Sequence, residues 1–239
     1  MKLSPNLHRV GNDIVACYLV ADGSGVTVID AGLPGQWREL VAELGTMGRS
    51  LTDVRAVILT HGDEDHLGFA ERLRSEHGVP VWVHEADAGR ARGEGKPDSG
   101  WGPLKPGPLL GFLWYGLRKG AAKTTYLKTV ATFSGGEVLD LPGAPRVMAM
   151  PGHSPGSVAF HVPAVSALFV GDALTTRHVL TGAEGPGAAP FTDDPDQALA
   201  SLSTLADVEA DWILPGHGAP WGGGVAEAVR LIRSKVSPA

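Results

Sequence analysis

Residues 56–78 read AVILTHGDEDHLGFAERLRSEHG, and PVWVH follows at 80–84. The run Ala56 to Leu59 is short, apolar and partly β-branched, as a buried strand is. From Asp65 to His77 the spacing of Leu67, Ala70 and Leu73 predicts a helix closed by Gly78. PVWVH is a further strand. Between the first strand and the helix, the loop Thr60 to Gly68 carries four side chains able to ligate a metal: His61, Asp63, Asp65 and His66. A short strand ending in a tight loop presents polar groups at a sheet edge, where ligand sites of α/β domains form.

Upstream, DIVACYLV and GVTVID are joined by Asp22-Gly23-Ser24-Gly25 and predict a hairpin. Trp37, Leu40, Val41 and Leu44 then recur at helical intervals, and that helix ends near Gly45. Downstream, strand-like runs cover 146–150, 157–162, 167–170 and 212–214, interrupted by a helix over 194–205 and closed by one over 225–232. Strands alternating with helices define an α/β fold whose sheets are buried by helices, and the two halves suit a sandwich of two sheets.

Three of the later runs also end in a glycine-flanked candidate ligand: MAMPGHSPG with His153, LFVGDAL with Asp172, and WILPGHG with His217. Glycine lets the backbone turn sharply and approach a metal centre closely. Imidazole and carboxylate are the ligands of hydrolytic zinc and of iron or manganese sites. One such residue after a strand is more often a cap or a turn. Seven at the same structural position predict a metal centre.

Composition narrows the function. A chain of 239 residues with 43% hydrophobic content holds a full core, and one domain over 1–239 is expected. A net charge of −6 argues against a nucleic-acid partner. The longest mostly apolar, uncharged stretch, 106–117, is too short to span a bilayer, so no membrane partner is expected either. The single cysteine, Cys17, excludes an intramolecular disulfide, and the first residues lack a signal-peptide pattern; a cytoplasmic location is the expectation. Residues at about 90–133 change texture to Gly, Pro and basic residues around LLGFLWYGL. They read as an insertion, with Trp101, Leu109, Leu110, Phe112, Trp114 and Tyr115 too apolar for a solvated linker. A lid over the site and a helical hairpin or dimer contact are equally open for it.

The whole chain outside that insertion resembles the metallo-β-lactamase-fold hydrolase superfamily. Its signature, H-x-H-x-D-H followed by a His, a bridging Asp and a last His, is met by His61, Asp65, His66, His153, Asp172 and His217, and VIDAG around Asp30 extends the likeness. The resemblance implies a four-layered αβ/βα sandwich of two mixed sheets with two divalent metals, zinc first and iron or manganese as alternatives, at one edge. His61, position 63 and His153 would hold the first metal, Asp65, His66 and His217 the second, and Asp172 would bridge both. Asp30 would orient a metal-bound histidine.

The departure is Asp63, where the family pattern has histidine. Its shorter side chain reaches a metal only if the loop shifts or a water intervenes, and it also stands where an N-cap of the following helix would. As a ligand, Asp63 together with Asp65 and Asp172 cancels the charge of two divalent ions and a hydroxide. Histidine there would leave a positive centre, so aspartate tilts preference toward iron or manganese.

A bridging aspartate at 172 resembles the glyoxalase II and lactonase-like branches rather than the β-lactamases. The expected activity is hydrolysis of an ester, lactone or thioester in a small-molecule substrate through a metal-bound hydroxide, with Asp172 orienting it and Asp65 protonating the leaving group. An iron-dependent redox enzyme on the same fold, di-iron or persulfide dioxygenase-like, is the alternative. Arg177 and His178 are candidates to face substrate, and His84 stands between a supporting and a surface role. His8, His77 and His161 read as structural. Nothing in the sequence fixes an oligomeric state.

Overall fold

The computed structural model describes residues 1–97 and 99–236. Its larger sheet has seven strands in sequential order: β1 Lys2–Ser4, β2 Leu7–Gly11, β3 Ala16–Asp22, β4 Gly25–Ile29, β5 Val54–Ile58, β6 Val81–His84 and β7 Ala131–Phe133. The first four pair antiparallel, while β4, β5, β6 and β7 run parallel. The smaller sheet has the order β13-β10-β9-β8, from β8 Arg146–Ala149, β9 Val158–Val162, β10 Ala167–Gly171 and β13 Trp212–Pro215. Only the β10/β13 pair is parallel, so both sheets are mixed. A separate ribbon joins β11 Thr175–Arg177 to β12 Glu184–Gly187.

The two sheets face each other because each strand alternates between two apolar environments. On β3, Ala16, Tyr18 and Val20 join Ile29 and Ile58 against Val147, Val158, Phe160 and Phe169 of the other sheet. The intervening Cys17 and Leu19 point outward, where Leu40 and Leu44 of α1 (Trp37–Thr46) and Leu73 of α3 (Ala70–His77) cover them. The outer face of the smaller sheet, with Leu168, Val170 and Ile213, is covered by Val225, Ala228 and Ile232 of α7 (Val225–Val236) and by Leu202 and Leu205. The layers are therefore helix, sheet, sheet, helix.

The helix expected over 65–77 is two helices, α2 Glu64–Leu67 and α3 Ala70–His77. The break has a packing cause. Gly68 lies against the backbone of the β4 exit, where its N–H donates to Gly32 O at 2.8 Å and a Cβ would meet that oxygen at 2.3 Å. Gly78 closes α3 in the left-handed conformation, as the sequence predicts. Over 194–205, α6 covers Pro195–Ser201 and continues as a tighter 3₁₀ turn, with Asp194 capping through Gln197 N–H. Residues 88–128 add α4 (Ala88–Ala91) and α5 (Pro106–Arg118), and α5 is anchored where Tyr115 packs on Val15 and Leu33. Among the described residues no helix is long and apolar enough to cross a membrane.

Candidate metal centre

Parallel pairing gathers the site. Because β4 and β5 run side by side with Ile29 opposite Ile58, the residues that follow them, Asp30 and the Thr60–His66 loop, emerge together. In the second sheet Gly171 stands opposite Pro215, which brings Asp172 beside Gly216 and His217. Val158 N–H donates to Thr60 O at 2.9 Å, and Ala16 N–H to Gly216 O at 2.9 Å, so the loops of the two sheets are tied to each other. The approach is close enough that a Cβ on Gly216 would meet His66 Cε1 at 2.4 Å.

Seven side chains meet there. Asp63 Oδ2 lies 3.5 Å from His153 Nε2 and 3.9 Å from His61 Nε2. Asp65 Oδ2 lies 3.4 Å from His217 Nε2, and Asp65 Oδ1 3.9 Å from His66 Nε2. Asp172 stands between these triads, its Oδ1 3.5 Å from His66 Nε2 and its Oδ2 3.2 Å from His217 Nε2 and 3.8 Å from His153 Nε2. The three groups His61/Asp63/His153, Asp65/His66/His217 and His61/His66/Asp172 each have the spacing that could hold a metal ion.

The outer nitrogen of each histidine fixes its tautomer. His66 Nδ1 donates to Asp30 Oδ2 at 3.0 Å, and His217 Nδ1 donates to the Ile14 carbonyl. Thr60 spends its hydroxyl proton on Asp30, so His61 Nδ1 must donate to Thr60 Oγ1 at 3.0 Å. Thr192 likewise donates to Ala189 O, so His153 Nδ1 donates to Thr192 Oγ1 at 3.2 Å. In their neutral form, all four rings thus aim an Nε2 lone pair inward. The Nε2 atoms of His61, His66 and His153 and Oδ1 of Asp172 are buried with no hydrogen-bond partner among the described residues. Buried polar atoms are normally satisfied, and a cluster of orphaned acceptors beside three carboxylates fits divalent cations.

Without a cation the rings differ: burial opposes charge on His66, but Asp30, Asp172 and Asp65 raise it well above the usual imidazole range, so it carries a proton that a metal would displace. Burial, then the neighbouring His66 and His153, hold His61 well below the usual imidazole range, so it is neutral. Burial opposes charge on His217, yet Asp172 and Asp65 push it up to about 9. Burial would also raise Asp172, but His217 and His66 keep it well below the usual carboxylate range.

Two residues that carry the site are not legible as motifs. Asp87, fully buried, accepts from Gly62 N–H at 2.8 Å, Ser154 Oγ at 2.6 Å and Gly156 N–H at 2.7 Å, tying the His61 loop to the His153 loop. Arg90, also buried, donates through Nε and Nη2 to the two oxygens of Asp63 at 2.5 and 2.9 Å. Asp63 does occupy the N-cap position of α2, but its side chain makes no capping hydrogen bond. Asp30 has φ 59°, a left-handed value uncommon outside glycine and more accessible to Asp and Asn than to most residues.

A cavity of about 330 Å³ opens over the centre, with Asp63, Asp65, His153, Asp172 and His217 on its floor. Trp101, Phe112, Tyr115, Val179 and Phe191 form its walls, and Trp101 meets Phe191 edge-on at 5.4 Å. Leu110 and Trp114 of α5 instead face solvent, 65% and 60% exposed. Arg177 pairs with Glu184 and His178 borders a neighbouring cavity, so neither lines this one. His84 accepts from Ala86 N–H away from the centre. His8 pairs with Glu43 and His77 stacks on Trp37.

The family model of the metallo-beta-lactamase superfamily matches residues 10–217, and the chain belongs to that superfamily. Among its relatives, the probable metallo-hydrolase YflN of Bacillus subtilis is 28% identical over 235 residues, 91% of this chain and 85% of that protein. The hydroxyacylglutathione hydrolase of Ruegeria pomeroyi is 31% identical over 204 residues, 84% of this chain and 61% of that protein. A solved structure of TTHA1623 in a di-iron-bound form superposes with a TM-score of 0.59 at 27% identity, covering 90% of this chain and 93% of that one.

Proposed function

We propose that this chain is a dinuclear metallohydrolase that cleaves an ester, lactone or thioester bond in a small molecule with an apolar acyl or aryl part. The observation that carries the reading is Asp172, whose Oδ1 faces His66 and whose Oδ2 faces both His217 and His153, so that it reaches both histidine–carboxylate triads beneath an apolar cavity. His61, Asp63 and His153 would hold one divalent ion, Asp65, His66 and His217 a second, with Asp172 shared. Zinc is the first candidate, with iron or manganese as alternatives. When bound, such ions supply Lewis acidity and acidify water.

The chain's own residues then divide the work. Trp101, Phe112, Tyr115 and Phe191 take the apolar part of the substrate and exclude water around the scissile carbonyl, which gives the 90–133 segment the role of a lid up to β7, whose residues 131–133 belong to the larger sheet instead. Asp172, buried and ionised, orients the attacking water between the triads. Asp65, 27% exposed and on the cavity floor, can carry a proton to the leaving oxygen or sulfur as its bond to the acyl carbon breaks. The likeness to the Ruegeria hydroxyacylglutathione hydrolase supports the thioester member of this set.

The di-iron-bound neighbour favours a second reading, an iron-dependent redox enzyme. One screen separates the two: aryl esters, lactones and acyl thioesters offered to wild type and to Asp172→Ala, with oxygen uptake followed in parallel. Hydrolysis by wild type that Asp172→Ala loses supports the proposal. Oxygen consumption with an iron chromophore and no hydrolysis would replace it with the redox reading.

A further inference from the structure

Asp63 is the departure from the family pattern, and its surroundings are charged on every side. Arg90, on α4, grips both its oxygens, and Arg90 Nη1 donates onward to Asp193 Oδ2 at 2.7 Å, where Ser99 Oγ donates to Oδ1 at 2.6 Å. Lys96 Nζ reaches Asp63 Oδ1 at 3.2 Å and Glu64 Oε2 at 3.3 Å from the rim, 35% exposed. His61 and His153 complete the shell.

We propose that Asp63 and Arg90 act as one unit in place of the histidine of the family pattern, with Arg90 as the positioning residue that aims Asp63 Oδ2 at the first metal position and cancels its charge. The inference rests on the reading of His61, Asp63 and His153 as that position. Two independent features carry it.

The first is aim. Ligand atoms about 2.0–2.2 Å from a tetrahedral metal stand roughly 3.3–3.6 Å apart. Oδ2 lies 3.5 Å from His153 Nε2, within that range, and 3.9 Å from His61 Nε2, just outside it, a gap that a small side-chain rotation closes without a shift of the loop. A carboxylate turns freely about its last bond. The planar two-point grip of Arg90 removes that freedom, which a lysine at one point would not.

The second is charge. Asp63 and Arg90 are both buried, 5% and 8% exposed, so their charges are poorly screened by solvent. Asp63 and Arg90 cancel as the buried pair beside the first metal position, Lys96 and Glu64 cancel as a pair at the rim, 35% and 43% exposed, and Asp193 is held by the other edge of the Arg90 guanidinium with Ser99 on its second oxygen. The triad therefore presents to a cation the net charge that a neutral histidine would. A tally of the metal-facing carboxylates alone leaves the centre neutral; Arg90 restores the positive charge of the three-histidine pattern and removes the tilt toward iron or manganese argued from Asp63 by itself.

The test is calorimetric titration of chelator-stripped protein with Co²⁺, read together with the cobalt visible spectrum. Wild type takes up two equivalents. Arg90→Met removes the aim and the cancelling charge together: the uncancelled Asp63 tightens one binding step by about tenfold or more, and its freed carboxylate alters the cobalt spectrum of that step, an unaltered spectrum overturning the positioning role, whereas Asp63→His leaves Arg90 uncancelled and weakens one step by a similar factor. The double variant Asp63→His with Arg90→Met returns to within about threefold of wild type, because the two changes cancel. Arg90→Gln is the second charge-removing variant if Met prevents folding, which circular dichroism reports. Shifts in the same direction, no shifts, a double variant that does not return, or a wild type that binds a single equivalent each overturn the proposal. Two cobalt ions bound with the expected pattern but no hydrolysis of any substrate would leave it standing and remove only the hydrolase reading.

Discussion

His66 Nδ1 donates to Asp30 Oδ2 at 3.0 Å, and the other oxygen of the same carboxylate accepts from Thr60 N–H at 2.8 Å. Asp30 therefore holds both the ring orientation of one candidate ligand and the backbone that launches the loop carrying four of them. Asp30→Asn keeps the shape and tolerates the left-handed φ, but it loses the anionic acceptor that makes the imidazole a stronger donor to a metal. Metal affinity measured by chelator competition should fall by about 10–100-fold while the fold persists by circular dichroism. Unchanged affinity would assign Asp30 a purely backbone role.

Asp87 is expected to be structural and costly to remove. Asp87→Ala leaves Gly62 N–H, Ser154 Oγ and Gly156 N–H without their buried acceptor. A loss of about 3 kcal/mol or more is expected, which for a chain of this length lowers the thermal midpoint by roughly 6–12 °C. A midpoint within 2 °C of wild type by scanning calorimetry would mean that the two loops are held by something else.

In the metal-free protein His217 is opposed by burial but pushed up to about 9 by Asp172 and Asp65. Its folded value lies above the unfolded one near 6.5, so its contribution to stability is complete below about 6.5 and disappears as the pH rises through about 9. The chelator-stripped protein should thus lose thermal stability across that window, and His217→Asn should flatten the loss. A metal must displace the same proton, so uptake at pH 7.5 should release protons into a weakly buffered solution. A proton count of zero on metal addition would show that His217 is already neutral.

The cavity walls are expected to act on binding more than on chemistry. Trp101→Ala removes an aromatic wall and its edge contact with Phe191. For an apolar acyl substrate KM should rise by about fivefold or more with a smaller change in kcat, since burial of such a ring contributes about 1–2 kcal/mol. Equal KM values for wild type and variant would dissociate the 90–133 segment from substrate binding.

Much of the fold was legible because its signals are local. Apolar runs such as AVILT and LFVGD mark buried strands, and the glycines after them mark loops that pass close to another backbone, as Gly216 does against His66. β1 and β7 escaped for lack of length, three residues each with at most one buried side chain, and β2 because it buries His8 and Arg9 between Leu7 and Val10 and so reads as polar. The break in the helix at Gly68 depends on contact with Gly32, a tertiary fact that helical spacing does not encode. The seven candidate ligands do come together, because their strand ends are aligned by parallel pairing. Arg90 was invisible for the opposite reason. It sits among AGRARGEGK, which reads as a solvated surface, and its partner Asp63 lies 27 residues away on another loop.

The most direct measurement is steady-state hydrolysis of an aryl ester, a lactone and an acyl thioester before and after chelator treatment, with metal restored by titration. Stripping should abolish turnover of at least one of them and zinc, iron or manganese should restore it, with activity levelling off at two equivalents per chain. Turnover that survives stripping, or none in any metal, would contradict the proposed function.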